Sequence, residues 1–146
     1  MPLVGGGGSP NVAGSNPSGT GNTLQYVGKN FAYAYAGASE ASNSTVTVLD
    51  FTTGPEIVKG QIFGSGTVNY NSGNLGDGKF TAWKISMDGQ VIGFLKTDSQ
   101  QEDMPNEAVM QILIPPFSHI EVEVLSSGSS ASEFTTTSIT GRVYYA

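Results

Sequence analysis

From Thr23 onward, apolar and polar residues alternate with a period of two, in short runs broken by Gly, Asn, Ser or Pro roughly every ten residues. Helical spacing is nearly absent, so the pattern predicts strands. The first run lies within 26–36 and contains FAYAYA. Alternation sets Phe31, Tyr33 and Tyr35 on one face and Ala32, Ala34 and Ala36 on the other. The aromatic ladder is expected to pack in the core, with a ligand platform as the alternative. A second strand spans 44–53 and stops at Gly54-Pro55. A third runs from Glu56 to Phe63 and is expected to dissolve into the Gly/Asn-rich stretch 64–78, with at most a short strand at 67–70.

The clearest hairpin is 79–97, because Asp88-Gly89 suits a two-residue turn that needs positive φ at both positions. That turn sets Met87 opposite Gln90, Ile85 opposite Ile92 and Trp83 opposite Phe94. Trp83, Ile85, Ile92 and Phe94 then share one buried face. Ala82, Lys84, Ser86, Val91 and Leu95 fall on the other. That face is too apolar for water alone, so Ala82, Val91 and Leu95 are expected to form an oligomer interface. After a polar, acidic connection at 98–107, the apolar strand 108–114 ends at Pro115-Pro116, read as an extended corner between two sheets. Along 117–125, Ile120, Val122 and Val124 point inward while His119, Glu121 and Glu123 point outward. A Ser-rich loop at 126–132 leads to the last strand, 134–145. Seven or eight strands with mixed connections predict an all-β, antiparallel, jelly-roll-like sandwich.

The first 22 residues, MPLVGGGGSPNVAGSNPSGTGN, are different in kind. They carry no charge and too few apolar groups to offset the entropy of ordering. They are read as an extended N-terminal arm (1–22) on a sandwich body (23–146), with a plain linker as the alternative. Such an arm docks mainly through its backbone. Gly5, Gly6, Gly7 and Gly8 permit close approach, Pro10 limits the entropy lost, and Leu3, Val4 and Val12 are small apolar anchors. Fully extended, it reaches roughly 70 Å.

Charge narrows the partners. Net charge is −6, and the six Lys and Arg residues are scattered, which argues against a nucleic-acid partner. No stretch approaches a membrane span. With no cysteine, there are no disulfides or thiolate sites. The single His, without a nucleophile elbow or HExxH pattern, gives no reason to expect an enzyme. His119, Glu121 and Glu123 share a face at two-residue spacing and are read as solvated rather than as metal ligands. No cofactor is expected: the glycines at 5–8 lack the strand, helix and Lys of a phosphate loop.

The opening arm, VLDFTTG (48–54), LIPPFSHIEVEV (113–124) and TGRVYY (140–145) together resemble small structural proteins of tailed, particularly marine, bacteriophages. The resemblance covers most of the chain but assigns no individual residue. It implies a virion component, most like a capsid decoration (cement) protein on the outer surface of the head. Such a protein would be made in the host cytoplasm, would form a homo-oligomer (a trimer favoured), and would hold the major capsid protein through arm and body. The competing expectation is a tail or fibre knob that binds a host-surface glycan.

Overall fold

The computed structural model describes residues 24–40, 44–68, 80–98, 106–127 and 133–145; the arm residues Leu3 to Val12 lie outside them. Among the described residues there is no helix. Nine strands form two antiparallel sheets: β1 (Gln25–Val27), β2 (Phe31–Glu40), β3 (Thr45–Thr52), β4 (Glu56–Val68), β5 (Phe80–Met87), β6 (Gln90–Asp98), β7 (Asn106–Ile114), β8 (His119–Ser127) and β9 (Glu133–Tyr145). One sheet has the order β1-β2-β9-β4-β7 and the other β3-β8-β5-β6. Apart from β1, which adds an edge to β2, this is the eight-stranded jelly roll. Only the β1–β2 and β5–β6 connections stay within a sheet; every other connection crosses between them.

The core lies between the sheets. It is built from Val58, Ile62, Ile112, Ile114, Ile139 and Val143 on one side and Leu49, Phe51, Trp83, Ile85, Ile120, Val122 and Val124 on the other. Trp83 is fully buried, and its indole Nε1–H donates to Thr137 Oγ1 across the sandwich at 3.0 Å. The FAYAYA strand is turned the opposite way from the expectation. Ala32, Ala34 and Ala36 are buried, whereas Phe31 is 53% exposed and Tyr33 is only half-buried. The inner space is already filled by the large side chains of the facing sheet, and a small residue is what fits beneath them.

Two bulges explain the other departures. In the β5–β6 hairpin the turn is as predicted, with φ +50° at Asp88 and +79° at Gly89, and Met87 pairs with Gln90. One residue later the register slips: Ser86 pairs with Val91 but Ile85 pairs with Gly93, so Ile92 is the extra residue. Trp83 therefore pairs with Leu95, which packs against the core, and Lys84 pairs with Phe94, which points out and is 71% exposed. Ile92 is also exposed. In β3 a similar shift leaves Val48 unpaired, and Val48 and Leu49 are both buried despite being neighbours in sequence.

β4 does not end at Phe63. It continues through Gly64-Ser65-Gly66 to Val68, paired with β9 throughout and with β7 as far as Gly66. A Cβ at Gly64 would lie 2.5 Å from Trp83 Cε2, so the glycine is there to admit the indole rather than to break the strand.

The Pro115-Pro116 segment does carry the chain from one sheet to the other, between β7 and β8, but by a turn and not an extended path. Phe117 occupies the left-handed region with φ +55°. The turn is tied to the β3–β4 connection: Thr53 N–H donates to Ser118 O, Phe117 N–H donates to Gly54 O, and Ser118 N–H donates to Thr53 Oγ1.

Candidate functional site

Strand register decides which side chains meet on the outer face of the five-stranded sheet. Reading across β2, β9, β4 and β7, one row is Phe31, Arg142, Lys59 and Leu113. The next row is Tyr33, Thr140, Gln61 and Gln111. Adjacent strands are about 4.8 Å apart, so each row spans roughly 14 Å. Between these side chains lies an open groove of about 500 Å³, floored by the paired glycines Gly60 and Gly141. Absence of a Cβ at this pair keeps the two backbones close: one added at Gly60 would meet Thr140 O at 2.0 Å.

Aromatic groups form one wall. The Tyr33 and Tyr35 rings lie 5.2 Å apart, tilted by 40°, and the Arg142 guanidinium sits over the Phe31 ring at 5.9 Å. On the far side the Gln111 amide donates to Gln61 Oε1 at 3.4 Å. Among the described residues the lining holds two cations, Lys59 and Arg142, and no carboxylate. Neither cation pairs with a carboxylate among the described residues. Sequence reasoning noticed the aromatic alternation but assigned the wrong face to it. The signal that could have corrected it is the row of alanines, which are too small to face water for any packing reason yet suit a space crowded from the opposite sheet.

The outer face of the other sheet is laced with polar contacts. His119, Glu121 and Glu123 project there together, as alternation predicts. His119 Nε2 lies 2.6 Å from Asp50 Oδ1, Thr47 Oγ1 donates to Glu121 Oε1, and Lys84 forms an ion pair with Glu123. The hydrogen bond to Glu123 raises the Lys84 pKa, since it favours the charged ammonium. His119 N–H also donates to Asp88 Oδ1 at 2.8 Å, and Asp88 N–H returns a bond to His119 O, which docks the hairpin turn on β8.

Of the expected interface residues, Ala82 and Val91 lie on the outer side of this sheet, and Val91 is half exposed. Leu95 does not join them: the bulge turns it inward. Phe94 stands in its place. β6 and β7 are edge strands of the two sheets and pack together where Met110 Sδ abuts Gly93. Val91, Ile92 and Phe94 on β6, with Val109 and Leu113 on β7, flank this lateral edge with exposed apolar side chains.

No protein-family model matches the chain, and no curated protein sequence is detectably similar to it.

Proposed function

We propose that the chain is a structural subunit of a virion, a head decoration protein that associates with copies of itself and with the major capsid protein. The observation that carries this reading is the apolar β6–β7 edge. Among the described residues, each of the two strands is hydrogen-bonded on one side only. Between them they expose Val91, Ile92, Phe94, Val109 and Leu113, with Phe94 at 71% and Leu113 at 58%. Open strand edges with apolar neighbours pair readily with another chain unless something blunts them. Full burial of Phe94 and Leu113 is worth on the order of 1.5–3 kcal/mol each, before the cost of association. A jelly-roll body is also an architecture used by capsid domains. The resemblance of the arm and of the three body segments to phage structural proteins points the same way.

The test is self-association. Full-length protein at micromolar concentration should sediment as a closed oligomer, a trimer being favoured. The double variant Phe94→Glu/Leu113→Glu should sediment as a monomer with an unchanged circular dichroism spectrum, because both side chains point away from the core. A wild-type monomer, or an oligomer indifferent to the two charges, would overturn the assignment of this edge. On particles, a decoration role requires many copies spread over the head rather than a few at the tail.

A further inference from the structure

The groove on the five-stranded sheet meets that edge only at Leu113, and its chemistry points to a ligand of its own. We propose that it binds an oligosaccharide bearing carboxylate groups, that is, a uronate-containing glycan.

Three features converge. First, the wall formed by half-buried Tyr33 and exposed Tyr35 offers apolar ring surface, against which the apolar face of a pyranose ring stacks. Second, the row Tyr33, Thr140, Gln61, Gln111 supplies a phenol, a hydroxyl and two amides along a line across four strands. Such groups both donate and accept, which suits sugar hydroxyls. Third, the charge is of one sign. The chain is acidic overall and has only six Lys and Arg residues, yet two of them, Lys59 and Arg142, line this one groove with no carboxylate among its described lining residues. They are adjacent across the β4–β9 pairing and stand one row from the amides. A guanidinium held over Phe31 is oriented for a planar, two-oxygen acceptor, and a carboxylate is that acceptor.

The volume of about 500 Å³ falls within the usual range for small-ligand sites, and a span of roughly 14 Å matches a short run of sugar rings rather than one. A neutral glycan would leave both cations unmatched. A nucleic-acid strand would meet the repulsion of a chain carrying −6.

The experiment is calorimetric or NMR titration of the full-length protein with trigalacturonate, its methyl ester, and maltotriose. Trigalacturonate should bind saturably and progressively less well as salt is raised. The methyl ester and maltotriose should bind at least about tenfold more weakly, because the carboxylate contacts are lost. Arg142→Gln and Tyr33→Ala should each weaken trigalacturonate about tenfold or more. Arg142 is exposed and its replacement tests the site even if Tyr33→Ala fails to fold. Lys59→Gln is a further exposed substitution that should act in the same direction. Phe94→Glu alone, on a strand of the other sheet, should leave saccharide binding unchanged, so failure of the assembly reading and failure of this one are separable. No saturable binding of trigalacturonate, equal binding of the ester or of maltotriose, or full binding by Arg142→Gln would each overturn the proposal. If Arg142→Gln or Tyr33→Ala instead changes the sedimentation coefficient, the face is a contact between copies and not a saccharide site.

Discussion

A methyl group added at Gly64 would sit 2.5 Å from the indole of Trp83, closer than packed carbon atoms approach. The Trp83 ring cannot swing away without giving up its bond to Thr137, and Thr137 is itself buried. Gly64→Ala should therefore destabilise the fold by about 1–3 kcal/mol, the usual cost of overpacking. In a Trp83→Phe background, where the indole is gone, the same substitution should cost at least about 1 kcal/mol less. Urea unfolding of the four proteins measures the coupling, and simple additivity would show that the two residues do not share the space. Tyr26 carries a second prediction. Burial, then the carboxylate of Glu56 that accepts its hydroxyl at 3.2 Å, pushes its phenol from 10.0 up to about 12. An unfolded chain ionises this tyrosine first, so its stabilising effect is complete below pH 10 and is lost as pH rises toward 12. Stability of the wild type should fall more steeply across that window than stability of Tyr26→Phe. Parallel slopes in denaturant titrations would show that folding does not shift the titration of this phenol.

At the scale of elements, most strands were legible because a half-buried strand must alternate, and turns were legible where one residue type is required, as at Asp88-Gly89. What the pattern hid were the places where packing overrides alternation. The bulge at Ile92 shifts every later residue of β6 by one position, which exchanges the roles of Phe94 and Leu95. No local signal marks it, since Val91-Ile92 is an ordinary strand pair. Gly64 and Gly66 read as a loop because their reasons, Trp83 and Thr81, lie on another strand. The aromatic groove was missed for a related cause: alternation says which residues share a face but not which face is inward. Phe117 is the local exception among the described connections, since Asp88 sits in a turn that calls for positive φ. A bulky residue at φ +55°, with its ring 71% exposed, has strain and little burial to offset it. Phe117→Asn should raise stability by about 0.5–1 kcal/mol, because Asn tolerates the left-handed region and no core contact is lost. Thermal unfolding decides this, and a destabilised variant would mean that the ring is held by contacts that matter to the fold.

At the scale of the whole molecule, the arm is expected to contribute to docking rather than to the stability of the body. Leu24 and Gln25, where the described chain begins, are buried at the β1 edge, and the described core cluster draws on both sheets. The composition of residues 1–22 offers a backbone with small side chains and no charge, so it has little to add to an apolar core. Docked on a partner, it could form many backbone hydrogen bonds at a net ~0.5–1.5 kcal/mol each, against an ordering cost of roughly 1–2 kcal/mol per residue. Those terms are of similar size, so one arm alone binds weakly. Several arms on one oligomer act through effective concentration, and the weak contact becomes a firm one. Deleting residues 1–22 should therefore leave the thermal midpoint within about 2 °C of the full-length protein while abolishing most occupancy on particles that lack the subunit. Combining the deletion with Phe94→Glu/Leu113→Glu should abolish what remains, since both the arm and its multiplication are then gone. Equal occupancy of full-length and truncated protein would refute the docking role of the arm. A truncated chain that no longer folds would show instead that these residues belong to the domain.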